Sequence, residues 1–210
     1  MEGLYCERFI AGVEPLNTLS NLGFFIAAFL TWRLVCGAKG DRLAGILLAS
    51  LIAGIGAGST AFHLIGTPLA RYLDVVPIVL FQLVFVWLYA TKVLHAGRAS
   101  VAASLCAFVV ASWLGDNSAA VPSGSLSYAP ALGLGLGFGW YRRGLEPAGA
   151  MDLRVAAAVF LLALIFRSLD TIVCPAFPHG THFVWHLVVP CAVYLGVRGL
   201  FRDALEGRRA

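Results

Sequence analysis

The chain has 210 residues, 60% of them hydrophobic and 12% charged, with a mean hydropathy of +0.84. Soluble domains carry about 25% charged residues, so this composition excludes an ordinary soluble domain and points to an integral membrane protein. The formal charge of +4 is modest, and its placement reports membrane topology, not nucleic-acid binding.

Apolar runs near ~20 residues, the length of helix that crosses a bilayer, predict seven spans: Leu16–Cys36, Leu43–Leu64, Tyr72–Leu94, Val101–Gly115, Leu126–Tyr141, Leu153–Cys174 and Phe183–Leu200. The fourth and fifth are short. If the amino terminus lies outside, the inner segments hold Arg33, Lys39, Arg42, Lys92, Arg98, Arg142, Arg143, Arg154, Arg198, Arg202, Arg208 and Arg209, which is twelve of the fifteen basic residues. Basic residues collect on the cytoplasmic side. The sequence therefore predicts one domain over 1–210, an all-α seven-transmembrane helix bundle with its amino terminus outside and its carboxy terminus cytoplasmic. The start, Met1-Glu2-Gly3, lacks the basic opening of a cleavable signal peptide, so the first span is expected to direct its own insertion.

The amino-terminal stretch "YCERFIAGVEPLNTLSNLGFF" carries Glu7, Glu14, Asn17, Ser20 and Asn21. These polar groups either cap the first span and bond to spans two or seven, or, as a carboxylate pair with carbonyl oxygens, bind a hard cation such as calcium. Span two holds Gly54 and Gly58 at helix-contact spacing and ends on Ser59-Thr60-Ala61-Phe62-His63. A turn at Gly66-Thr67-Pro68 leads to span three, with Asp74 expected in its first turn. His95 falls in an inner loop and is expected to be solvated. Gly133/Gly137 and Gly135/Gly139 in span five repeat the small-residue spacing. In span six Arg167 and Asp170 lie three apart, where they can pair with each other or with neighbouring spans, bracing the bundle or, less simply, serving catalysis. His179, in the next loop, is a reserve ligand candidate. Span seven opens with "HFVWH", placing His182 and His186 four apart on one helix face.

Cysteines divide by side. Cys36, Cys106 and Cys191 lie within or at the inner ends of spans and read as packing thiols. Cys6 and Cys174 both fall outside, where disulfides persist, and are expected to be bonded.

Span direction puts Ser59, His63, Asp74, His182 and His186 at one depth, near the outer surface. Ionisable groups inside a membrane mark function or specific pairing. Three histidines supply three protein ligands and leave a fourth tetrahedral position for water, the pattern of catalytic zinc.

Together "EPLNTLSN", "STAFH" with the Asp74 of "YLD", and "HFVWH" resemble the alkaline ceramidase family, part of a wider group of seven-span membrane hydrolases that includes adiponectin receptors. The likeness follows the order of the spans over nearly the whole chain, and the short loops and "YCER" start look most like the bacterial branch. The resemblance implies zinc held by His63, His182 and His186, proton handling by Asp74, and stabilisation of the reacting centre by Ser59. It also implies a Cys6–Cys174 disulfide. Animal members bind calcium through an acidic amino-terminal segment that Glu7 and Glu14 match in part, but Leu4 and Phe9 stand where further ligands would be expected.

The expected activity is zinc-dependent hydrolysis of an amide-linked membrane lipid, ceramide or a related N-acyl lipid, to a fatty acid and a sphingoid base or amine. The expected location is a bacterial inner membrane, with the site near the periplasmic side. The alternative is a seven-span zinc-containing receptor or sensor without turnover, although such members place the amino terminus inside. A rhomboid-type serine protease is disfavoured because Thr60, not glycine, follows Ser59. A proton-coupled transporter would use Asp74 and the histidines as a relay but would not need a three-ligand geometry.

Overall fold

The computed structural model describes residues 5–11, 13–37, 42–118, 120–141 and 147–206. Lys39, Arg142, Arg143, Arg208 and Arg209, five of the basic residues used to read topology, lie outside them. In chain order the helices are α1 (Cys6–Ala11), α2 (Pro15–Ser20), α3 (Leu22–Gly37), α4 (Arg42–Ile65), α5 (Pro68–Lys92) and α6 (Arg98–Asp116). A 3-10 turn, Pro122–Tyr128, then leads into α7 (Ala129–Tyr141), α8 (Pro147–Val173) and α9 (His182–Glu206). No strand occurs among the described residues.

Six helical segments are long and apolar enough to cross a membrane: Pro15–Gly37, Arg42–Ile65, Pro68–Lys92, Arg98–Asp116, Gly149–Val173 and His182–Arg202. Their outer faces are apolar. Leu19, Leu22, Leu43, Leu69, Tyr72 and Trp113 are all more than 60% exposed, a surface suited to hydrocarbon, where backbone groups are satisfied inside each helix. The chain is thus a multi-pass integral membrane protein. The expected fifth span, Leu126–Tyr141, is divided between the 3-10 turn and α7. At ~1.5 Å per residue α7 is ~20 Å long, short of the ~30 Å hydrocarbon core.

The turn between α4 and α5 shows how local chemistry sets these boundaries. Gly66 adopts φ +68, the left-handed conformation that ends a helix without the steric penalty of a Cβ. Thr67 then caps α5, its hydroxyl accepting from the Ala70 amide at 3.3 Å. Pro68 sits at the first helical position, where its missing N–H costs nothing. Because α5 begins at Pro68, Asp74 lies in the second turn of the helix and not the first.

The tightest packing joins α8 to α9 and α4 to α5, with α3 against both α4 and α9. Leu48, Ile52, Tyr89, Leu153 and Val197 are fully enclosed at the centre. α6 is peripheral and buries only Val101 and Phe108. Glycine spacing has uneven consequences. A Cβ at Gly58 would run into the backbone of Leu73 and Asp74, so Gly58 lets α4 and α5 meet backbone to backbone. Gly135 approaches Ala157 and Gly139 approaches Arg154, whereas Gly133 and Gly137 face open space. Only one of the two pairs in α7 therefore makes the helix contact expected of both.

Asp152 at one end of α8 holds Arg198 through two bonds, 2.9 and 2.6 Å, and Arg202 at 2.9 Å. At the opposite end the expected Cys6–Cys174 disulfide is present, with the Cα atoms 5.4 Å apart, tying α1 to the end of α8. Cys36, Cys106 and Cys191 are exposed on the outside of the bundle, not packed within it as their apolar surroundings in the sequence suggest.

Candidate metal centre

Two helices, α4 and α9, bring His63, His182 and His186 together. His63 occupies the last turn of α4, and the other two occupy the first two turns of α9 on one face. Each is at most 2% exposed. One nitrogen from each lies within 4.8 Å of the other two, and the group could hold a metal ion. His63 and His186 ring centres are 4.8 Å apart, and those of His182 and His186 are 4.5 Å apart.

The surroundings of each ring decide which nitrogen is offered. His63 Nδ1 hydrogen-bonds the Glu14 carboxylate. His186 Nδ1 lies 2.9 Å from the Asn17 carbonyl oxygen and 3.1 Å from the Ser20 hydroxyl. A ring that donates through Nδ1 keeps its lone pair on Nε2. Both rings thus present Nε2 inward, the arrangement by which outer partners fix metal-ligating histidines. His182 Nδ1 is buried and has no hydrogen-bond partner among the described residues, leaving a polar atom that a cation would satisfy. The donor set fits a divalent metal that favours imidazole.

The amino-terminal segment covers this cluster. Tyr5 stacks on His182, ring centres 3.6 Å apart at 15°, and its hydroxyl accepts from Arg167 at 3.1 Å. Burial pushes the Tyr5 phenol up to about 12, so it remains neutral there. Glu7 accepts from the Leu16 and Asn17 amides at 2.6 and 2.9 Å, capping α2. Glu14 binds Arg8 through one oxygen and His63 through the other, and the second oxygen also accepts from Asn17 Nδ2 at 2.9 Å. Burial alone would raise the Glu14 carboxyl, but its contacts with His63, Asn17 and Arg8 prevail and hold it below the ordinary carboxylate value. Both carboxylates suggested for a hard cation are therefore occupied by groups of the chain itself.

Asp170 is fully enclosed. Its Oδ1 accepts from the amides of Thr181 and His182 at 2.7 and 2.9 Å, and its Oδ2 from the Cys6 amide at 3.0 Å. One carboxylate thus anchors α1 and caps the first turn of α9, whose orphan amides need acceptors. Arg167 sits among aromatic rings, 5.8 Å from the Tyr5 centre and 5.3 Å from those of Tyr128 and Trp185.

Ser59 lies one turn before His63 and is 3% exposed. It is within hydrogen-bonding reach of Asp74, and both His63 and Arg167 are near enough to act on the Asp74 charge. The five residues singled out in the sequence thus share one region. His179 and His95 are exposed and stand apart from it. Sequence reasoning did not find the Tyr5 stack, the Glu14 contact with His63 or the Asp170 cap. Each joins segments distant in the chain and carries no spacing signal.

Trp185, between the two α9 histidines, is also a wall of a cavity of about 140 Å³ that runs into the bundle. Its lining, with Phe81, Phe85, Phe160 and Val189, is almost wholly apolar. Comparison with protein-family models and with curated proteins returns no match for this chain.

Proposed function

We propose that this protein is a zinc-dependent membrane amide hydrolase of the ceramidase-like kind, cleaving ceramide or a related N-acyl lipid to a fatty acid and an amine. The observation that carries this reading is the buried three-histidine cluster, with two of its rings oriented by Glu14 and Asn17 and a carboxylate and a hydroxyl close by. We place seven spans in the membrane, the fifth formed by α7 with the preceding 3-10 turn, with the amino terminus outside and the cluster near the periplasmic face of a bacterial inner membrane. The Cys6–Cys174 bond supports that side, because disulfides persist there.

His63, His182 and His186 would hold a zinc ion, which would supply Lewis-acid polarisation of a carbonyl and lower the pKa of water towards neutrality. Asp74 acts as general base and then general acid: it takes a proton from the water that attacks the amide carbon, and returns it to the nitrogen as the C–N bond breaks. Ser59 donates a hydrogen bond to the developing oxyanion, an interaction commonly worth ~3 kcal/mol. The apolar cavity beyond Trp185 receives the acyl chain while the polar part of the lipid stays at the surface.

The test joins elemental analysis of detergent-purified protein to fatty-acid release from a panel of N-acyl lipids. Near one zinc per chain, little in a His182→Ala/His186→Ala variant, and hydrolysis abolished by Asp74→Asn with zinc retained is the expected pattern. Zinc without turnover on any N-acyl lipid would favour the receptor or sensor reading. A folded protein that neither contains nor takes up zinc would remove the hydrolase mechanism.

A further inference from the structure

The cavity lining contains one carboxamide. Gln82 sits on the face of α5 shared by Ile78 and Phe85, at spacings of four and three residues. Its side chain is half-buried at the cavity wall, and no hydrogen bond from it is found among the described residues. An amide carries two donors and an acceptor, and in a hydrocarbon-like interior leaving them unmatched is costly. Leucine or methionine would fill the same volume at no such cost. The position is also well removed from the reacting groups: eight residues separate it from Asp74, ~12 Å along a helix.

We propose that Gln82 is a specificity-determining residue that reads a hydrogen-bonding oxygen, a hydroxyl or keto group, carried in the middle of the acyl chain. This rests on the hydrolase reading above. With the amide carbonyl at the histidine cluster, the chain continues past Trp185, whose ring forms the cavity wall beside the cluster, and down the face of α5. Phe81, Phe85, Phe160 and Val189 surround it with surface that offers no hydrogen bond. A wholly saturated, unsubstituted chain would leave the Gln82 amide unmatched on the side that faces the cavity. A chain bearing an oxygen at that depth would both donate to and accept from it, and sites built to hydrogen-bond a ligand group discriminate strongly against ligands that lack it. The cavity therefore selects for a mid-chain oxygen, in addition to apolar length.

The experiment uses the full chain in detergent with N-acyl lipids whose acyl chains are plain or carry one hydroxyl at successive positions. The expected result is an advantage of about tenfold in kcat/KM for a mid-chain hydroxyl, none for a hydroxyl beside the amide, and a ratio near one in Gln82→Leu. Equal rates for all chains in the unsubstituted protein, or a preference only for a hydroxyl next to the amide, would overturn the assignment and leave the hydrolase intact. If no N-acyl lipid is cleaved, the hydrolase reading fails by itself, and binding decides the role of Gln82. Free fatty acids with and without a mid-chain hydroxyl are then compared by the rise in melting temperature they produce. A larger rise with the hydroxylated acid that disappears in Gln82→Leu upholds the assignment, whereas equal rises, or no rise with either acid, overturn it.

Discussion

Glu14 and His63, forty-nine residues apart, are joined through a hydrogen bond between the Glu14 carboxylate and His63 Nδ1, both side chains being 1% exposed. The bond turns Nε2 of His63 towards the other two histidines, and Arg8 holds the opposite oxygen of the carboxylate. Loss of such an outer partner typically weakens metal binding ~10- to 100-fold. Glu14→Ala is therefore expected to lower metal affinity by about that factor, and Glu14→Gln, which keeps an acceptor, by less. Competition with a chromogenic chelator measures both, and unchanged affinity in Glu14→Ala would show that the contact does not orient the ring.

Asp170 gives a stability prediction with a consequence at the site. Removing its carboxylate in Asp170→Ala leaves the Cys6, Thr181 and His182 amides without their acceptor. Buried unmatched groups cost ~1–3 kcal/mol each, so a loss of at least ~2 kcal/mol is expected. The first turn of α9 should loosen with it, weakening metal uptake as well. Denaturant titration and metal content measured on the same preparation check the two effects, and a variant as stable as the parent would refute the anchoring role.

The disulfide closes a separation of 168 residues. Reduction is expected to destabilise the protein by ~2–4 kcal/mol and to release the segment that stacks Tyr5 on His182. Thiol titration under denaturing conditions should find three groups before reduction, Cys36, Cys106 and Cys191, and five after it. Five thiols in untreated protein would mean that the bond does not form.

Gly58 tests the closeness of α4 and α5. A methyl group there would collide with the Leu73 carbonyl and approach the Asp74 amide, so Gly58→Ala must push α5 outward. Overpacking of this kind costs ~1–3 kcal/mol. Asp74 would move with the backbone, and turnover on N-acyl lipids should fall more than metal content does. A variant with normal stability and turnover would contradict the backbone contact.

Metal removal should also be visible without an assay of activity. A ligand present at one hundred times its dissociation constant stabilises a folded protein by about 2.7 kcal/mol. Stripping the protein with a strong chelator is expected to lower its melting temperature, with recovery on adding zinc back. The same treatment should leave His186→Ala nearly unchanged, since one ligand and its Asn17-fixed ring are already gone.

The sequence by itself determined that the chain crosses a membrane repeatedly as helices, because ~20-residue apolar runs have few other stable solutions. It also determined which residues to watch. Ser59 and His63, and likewise His182 and His186, are four apart, and helical periodicity alone aligns each pair on one face. Cys6 and Cys174 were legible as partners because the expected topology puts both on one side, and the structure bonds them. Much of this information is local, carried by composition and period.

Tertiary structure decided what no period encodes. The assignment of Glu14 to His63 instead of to a cation depends on α2 folding back over α4, and the service of Asp170 to two distant backbones depends on α8 meeting both α1 and α9. Gly133 and Gly137 carry the same spacing as Gly135 and Gly139, yet only the latter pair faces a neighbour, since spacing fixes a common face and not its direction. The expected fifth span broke at Tyr128 because apolar composition does not report where a 3-10 turn gives way to α-helix. Hydrophobicity is a property of each residue and survives in the sequence, whereas a hydrogen bond needs two atoms at a set distance and exists only once the helices are packed.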